Sequence, residues 1–301
     1  MDGGSAARST LTYEVTGRIA RITLDRPERG NGITLDMPRE LAECVERANL
    51  DPDVSVIALA GNGRGFCGGY DLAAAERSGA LSSQGPPGSP LDPSVQAGNH
   101  DPDRVWDPVV DWQMMSRNLR GFMSLFHSDK PTLCKVHGFC VAGGTDLALC
   151  CDLLVIADDA RIGYPPARAW GVPTSALWAF RTGDQRAKRL LFTGDLITGR
   201  EALDWGLAIE APPAAELDDR FESLVERVAL TPVNQLVMMK LLVNQALYAQ
   251  GLQATQTLGV FFDGVARHTE EGYDFQRRAA EGGFKEAVRD RDRPYGDMKA
   301  D

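Results

Sequence analysis

Val136-His137-Gly138-Phe139-Cys140-Val141-Ala142-Gly143-Gly144-Thr145-Asp146-Leu147 passes from an apolar run through a chain of small residues into a helix start. An earlier stretch, Gly65-Phe66-Cys67-Gly68-Gly69-Tyr70-Asp71-Leu72, has the same grammar: an apolar run before it, paired glycines within it, a helix start after it. Glycine admits left-handed backbone angles and lets a ligand approach the main chain. Amides at a helix N-terminus have no intrahelical partner, and the helix dipole there favours negative charge. Two such loops brought together would make an oxyanion hole, in which one donor is typically worth about 10²–10³ in rate. Either loop alone is equally well read as a tight strand-to-helix turn.

Outward from these loops, residues 11–15 and 18–24 alternate around Thr16-Gly17 as a β-hairpin. Residues 35–50 carry apolar positions at helical spacing, and residues 54–60 form a continuous apolar run of the kind found in a buried parallel strand. Residues 104–128 read as a long helix, 132–137 as a strand, 145–151 as a helix and 153–157 as a strand. This alternation gives an α/β fold with crossover connections. Between them, residues 76–103 include Gly85-Pro86-Pro87-Gly88-Ser89-Pro90 and show no period, which predicts a long loop or mobile insertion. Beyond about residue 184 the pattern is helical. The expected organisation is a disordered lead-in at 1–10, an α/β core at 11–213 and a helical region at 214–301.

At 301 residues, with 43% hydrophobic and 25% charged residues, the chain is an ordinary globular protein that can bury a large core. No apolar run approaches the roughly 20 residues that span a bilayer, and residues 1–10 contain no secretory apolar segment; a cytoplasmic location is expected. The six cysteines, at 44, 67, 134, 140, 150 and 151, fall largely inside apolar runs without a CxxC pair. They read as reduced buried thiols, with neither a metal site nor disulfides. A net charge of −10 argues against a nucleic-acid or anionic-membrane surface, while a few local arginines still suffice for phosphates.

The two glycine stretches resemble the signature loops of the crotonase (enoyl-CoA hydratase/isomerase) superfamily. Phe66 to Leu72 is similar to its F-[AC]-[AG]-G-x-D-[LI] pattern, and Gly138 to Ala148 to its G-x-[AC]-x-[GA]-G-G-x-[ED]-L-A pattern. Val15-Thr16-Gly17-Arg18-Ile19-Ala20 to Leu24-Asp25-Arg26-Pro27, Arg161-Ile162-Gly163-Tyr164-Pro165, Gly171-Val172-Pro173, Leu191-Phe192-Thr193-Gly194 and Ala202 to Leu207 look like its other signposts. The resemblance spans about residues 11 to 285. It implies a ββα-spiral core, with a C-terminal helical region that packs into trimers and often hexamers. It implies an acyl-CoA thioester as substrate, coenzyme A entering only as part of it, and no further cofactor. It assigns the oxyanion donors to the backbone N–H groups of Tyr70 and Gly143. Gly68 and Gly69 fall at the CoA-binding edge, Gly68 where the family contacts the adenine end. Arg26 and Arg29 are the candidates for the CoA phosphates, and Arg277 and Arg278 for reaching a neighbouring subunit's nucleotide.

Hydratases of this family use two glutamates around the bound water. The first position holds Asp146, shorter by about 1.5 Å of reach, which matters because a base must lie within hydrogen-bond distance of its proton. Asp146 is the candidate to move a proton or position water; the plainer alternative is that it caps a helix starting near Thr145. The second position holds Pro166, which has neither an acid nor an N–H. Relatives lacking one or both glutamates include isomerases, decarboxylases, dehalogenases and hydrolases. Arg168 and Trp170 are candidate acyl-pocket walls, with packing at a subunit interface as the alternative. The Tyr70 phenol is a further candidate for the site. His127 reads as structural, His100 lies in the aperiodic stretch with little weight, and Asp71 reads as holding its own turn. The resulting expectation is an enoyl-CoA hydratase-like enzyme adding water to a 2-enoyl-CoA. The alternatives are an isomerase or hydrolase of a bulkier acyl-CoA, or a non-catalytic acyl-CoA-binding scaffold.

Overall fold

The computed structural model describes residues 10–71 and 86–296. Most of the expected lead-in, residues 1–9, and residues 76–85 of the expected insertion lie outside the described residues. The hairpin is β1 (Leu11–Thr16) and β2 (Ile19–Leu24), paired antiparallel with Leu11 opposite Leu24. Helix α1 (Met37–Leu50) buries Met37, Leu41, Cys44, Val45 and Ala48, one face at helical spacing. It delivers the chain to β3 (Val56–Gly61), apolar on both faces because both are covered.

Within the stretch expected to be aperiodic, Pro93–Asn99 forms a short helix, α2. Its start is specified locally: Pro93 occupies the first turn, and the Asp92 side chain accepts from Ser94 N–H. Helix α3 (Pro108–His127) starts in the same way, with Asp107 accepting from Val109 N–H. The chain then alternates between two sheets. Strand β4 (Thr132–Val136) joins the first and β5 (Phe139–Val141) the second; after helix α4 (Gly143–Leu149), β6 (Leu153–Ile156) returns to the first and β7 (Arg161–Gly163) to the second. A 3₁₀ turn at Pro165–Arg168 and helices α5 (Trp178–Thr182) and α6 (Asp184–Thr193) lead to β8 (Leu196–Thr198). The first sheet has the order β1-β2-β3-β4-β6 and the second β5-β7-β8. Stacked turns that feed each sheet in alternation make the expected α/β spiral. The three-residue strands β5, β7 and β8 are too short to show a period in sequence.

Helices α7 (Gly199–Asp204), α8 (Leu217–Ala229), α9 (Val233–Ala249), α10 (Leu252–Arg267), α11 (Glu270–Gly282) and α12 (Phe284–Asp292) follow. Lys240 on α9 is buried and donates to Leu125 O and Lys130 O, while pairing with Asp152 at 2.8 Å. All six cysteines are buried, as their apolar surroundings predict.

Candidate active site

The two glycine loops lie against each other. Val141 N–H donates to Cys67 O at 2.9 Å, Phe66 N–H donates to Phe139 O at 2.9 Å, and Cys67 faces Cys140 as a parallel bridge. A Cβ on Gly144 would fall 2.5 Å from Cys67 O, and one on Gly143 would fall 2.8 Å from the Tyr70 ring, so side chains here would force the loops apart. Gly69 has φ +94°, and its own missing Cβ would lie 3.4 Å from Gly143 N. Tyr70 forms an isolated bridge with Ile33 in which Ile33 N–H donates to Gly69 O and Asp71 N–H donates to Ile33 O. These bonds use the groups on either side of Tyr70 N–H and leave it out of the pairing. Gly143 is the first residue of α4, where a helix amide has no intrahelical partner. Ala142, immediately before it, holds φ 54° and ψ −128°, a sparsely populated conformation for a non-glycine residue.

Helix α4 starts at Gly143, two residues earlier than its expected start, so Asp146 lies within the helix and is not its cap. The side chain is buried. Ser175 N–H donates to its Oδ1 at 2.8 Å, and its buried Oδ2 has no hydrogen-bond partner. Burial raises the carboxyl to about 6, against hydrogen bonding from Ser175 and with help from the nearby negative charge of Asp263.

Asp263 belongs to a charged group that sequence reasoning missed. It sits on α10 with 10% of its side chain accessible, receives Val172 N–H at 3.4 Å and pairs with Arg267 at 3.4 Å. Burial pushes it above the ordinary aspartate value. Arg267 also reaches Asp111 on α3 at 3.1 Å. Asp111 is fully buried and takes hydrogen bonds from Trp106 Nε1 at 2.7 Å and Asn99 Nδ2 at 3.0 Å, with His268 Nε2 at 2.9 Å. Burial opposes its ionisation, but His268, Arg267 and Trp106 together hold it below the usual range. A signal was present in α10: Gln256, Gly259, Val260, Asp263 and Gly264 share the buried face, so a carboxylate interrupts an inward stripe. His100, given little weight in sequence, stacks on His268 at 5.0 Å. Its ring with Asp111 and His268 has metal-ligand spacing, but the Arg267 guanidinium already supplies the countercharge and would oppose a second cation.

The other candidates fall as follows. Arg26 and Arg29 both grip Asp71, at 2.8 and 2.7 Å, and Arg26 also donates to Gly32 O. Asp71, expected to hold its own turn, thus reaches out of it and fastens the first glycine loop to the chain after β2. Gly68 lies in the same loop, with its N–H donating to Gly30 O. Arg168, expected to face an acyl chain, is a correction. Its guanidinium is buried, paired with Asp195 and Asp292, bonded to Thr193 O and stacked on Tyr295, so it ties the Pro165–Arg168 turn to the C-terminal helix. Two aspartates satisfy it inside this chain. Trp170 stacks on Phe275 of α11 at 5.0 Å. His127 hydrogen-bonds Tyr248 Oη, and Arg277 and Arg278 pair with Asp274. The Tyr70 phenol turns inward and accepts from Asn118 Nδ2 at 3.4 Å, in the same surroundings as Asp146 and Asp263.

An alternating α/β spiral with two glycine loops joined edge to edge, and a buried acid behind them, defines the crotonase class. The model of the enoyl-CoA hydratase/isomerase family matches residues 14–96 and 111–276, and the chain belongs to this family. A crystal structure of an enoyl-CoA hydratase from Mycobacterium smegmatis is 58% identical with a TM-score of 0.91, covering 97% of this chain and 96% of that one. The Mycobacterium tuberculosis protein named "Putative enoyl-CoA hydratase EchA13" is 32% identical, over 81% of this chain and 76% of its own length. The 1,2-epoxyphenylacetyl-CoA isomerase of Escherichia coli is 28% identical, over 76% of this chain and 79% of its own.

Proposed function

We propose that this protein is an enoyl-CoA hydratase-like acyl-CoA enzyme that adds water to a 2-enoyl-CoA. The thioester oxygen sits between Tyr70 N–H and Gly143 N–H, which stabilise the enolate that forms when the β carbon is attacked. Asp146 transfers a proton or positions the water. The observation that carries this reading is the meeting of the two loops: one amide left out of its bridge, one at a helix start, and Asp146 with an unpartnered oxygen three residues further on. Coenzyme A enters only as part of the substrate, and neither a metal nor a redox cofactor takes part. Arg26 and Arg29 meet its phosphates with the guanidinium N–H groups that Asp71 leaves over; Gly68 and Gly69 lie along its path. Exposed apolar residues on α9 and α10 support self-association; the trimer or hexamer and the cytoplasmic location follow from the resemblance and remain part of this proposal. Among the described residues, no helix is long and apolar enough to cross a membrane.

A second reading is favoured by Pro166, which removes the family's second glutamate from its usual place. It is an isomerase or hydrolase acting on a bulkier acyl-CoA. The deciding experiment presents crotonyl-CoA, 2-decenoyl-CoA and cinnamoyl-CoA and follows them by mass spectrometry. Gain of one water supports hydration, a double-bond shift at constant mass or release of free CoA supports the second reading, and binding without turnover leaves a non-catalytic scaffold. Asp146→Asn lowers turnover of the accepted substrate at least ~10²-fold, as loss of general acid–base help does; an unchanged rate removes Asp146 from the chemistry.

A further inference from the structure

We propose that Asp263, on the C-terminal helix α10, is the second carboxylate of the site and takes over the work that Pro166 cannot do. The inference rests on the acyl-CoA reading above and deepens it. The loop from Gly171 to Ser175 is the frame that relates the residues concerned. Pro166 touches it at one end: Gly171 N–H donates to Pro166 O at 3.0 Å, and a Cβ on Gly171 would fall 2.5 Å from Pro166 Cβ. The next residue, Val172, offers its N–H to Asp263, and Ser175 offers its N–H to Asp146. Helix α10 lies directly on this loop, because a Cβ on Gly259 would meet Pro173 O at 3.0 Å and Gln256 Nε2 donates to Ser175 O at 3.1 Å. The five residues of this loop therefore touch the position that lacks a glutamate, one buried aspartate and a second buried aspartate.

The two carboxylates have different surroundings. Asp263 has the Arg267 guanidinium 3.4 Å away, which favours the anion. Asp146 accepts an amide N–H, and its other oxygen has no partner. Two acids with different surroundings are what proton transfer in two directions requires. For hydration, the water oxygen bonds to the β carbon while one water proton passes to the Asp263 carboxylate. The Cα–Cβ π pair moves toward the thioester, whose oxygen becomes the enolate held by the two amides. The enolate then collapses, and its α carbon takes a proton from Asp146 in the acid form. The sum is one water added across the double bond, and proton exchange with solvent resets the pair.

The test compares wild type, Asp146→Asn, Asp263→Asn and Asp263→Asn with Pro166→Glu on crotonyl-CoA, 2-decenoyl-CoA and cinnamoyl-CoA, alongside thermal melting. Asp263→Asn is expected to lower kcat at least ~10²-fold with KM changed less than about threefold. Adding Pro166→Glu is expected to recover about tenfold or more by returning a carboxylate from the other side. Asp263→Glu keeps the charge for Arg267 but moves the carboxylate by about 1.5 Å, and is expected to melt like wild type while losing kcat at least about tenfold. Full kcat in Asp263→Glu, or in Asp263→Asn while Asp146→Asn is slow, overturns the role of Asp263 and leaves the oxyanion-site reading standing. Full kcat in both asparagine variants removes both carboxylates from the chemistry, whereas a wild type that turns over none of the three thioesters overturns the acyl-CoA reading and the role of Asp263 with it.

Discussion

Asp146 shows a carboxylate held against its own solvation. Its folded-state value of about 6, against an ordinary 3.8, means that the folded chain binds this proton more tightly than the unfolded chain does. The contribution is fully present below about pH 4 and is lost as pH rises through about 6. Above that, the buried charge costs about 3 kcal/mol, the size of a two-unit shift. Asp146→Asn keeps an oxygen for Ser175 N–H and removes the ionisation. The variant is therefore expected to melt about 6–12 °C above wild type at pH 8, at about 2–4 °C per kcal/mol, with the gap closing by pH 4. Calorimetry across that range checks it, and a gap that does not change with pH would show that burial of the charge is not its source. Loss of activity with gain of stability in one substitution is the mark of a residue kept for chemistry.

At the scale of elements, the site depends on how α10 is tied to α3 and to the loop before α5. Arg267 bridges Asp263 on its own helix and Asp111 on α3, with 11% of its side chain accessible. Removing one partner of a buried ion pair leaves an uncompensated charge and typically costs 3–5 kcal/mol. Arg267→Met is expected to lower the urea midpoint by a corresponding amount, of order 1–2 M at a urea slope of about 3 kcal/mol/M, the upper end of the usual range that a chain of this length takes. A midpoint within 0.2 M of wild type, a roughly null change on that slope, would show that His268 and the amides satisfy the two aspartates without it. The same element-level logic explains α2. A helix of seven residues in a Pro- and Gly-rich stretch stands on its Asp92 cap and on Asn99, whose side chain is hydrogen-bonded to Asp107 and Asp111. Its order comes from outside itself.

For the whole molecule, the informative surface is apolar. On α9, Met238, Met239, Leu241, Leu242 and Val243 are at least half exposed, and on α10 Leu258, Phe261 and Phe262 are exposed as well. A soluble helix that is apolar on its outer face needs a cover. Another copy of the chain would supply it, in keeping with the assembly proposed above. Leu242→Asp would place a charge in such an interface. Sedimentation is expected to shift from a trimer or larger toward a monomer at micromolar concentration; an unchanged mass would place the contact elsewhere.

The sequence determined the spiral core and the two glycine loops, because both are written in local terms. Apolar runs of strand length, helical spacing and glycines where backbones must nearly touch all act within a few residues of one another. Gly69, Gly143 and Asp146 lie in those loops, and it was the loops' resemblance to the family's signature patterns that assigned each its place in the site. The short strands β5, β7 and β8 were hidden, since three residues carry no period. So was Arg168: an arginine in a turn looks free until Asp195 and Asp292 arrive from residues far along the chain. The packing of α10 on the loop from Gly171 to Ser175 emerges only once the chain has folded. That packing brings Asp263 to the loop that also holds Asp146, linking positions more than a hundred residues apart that no local pattern encodes.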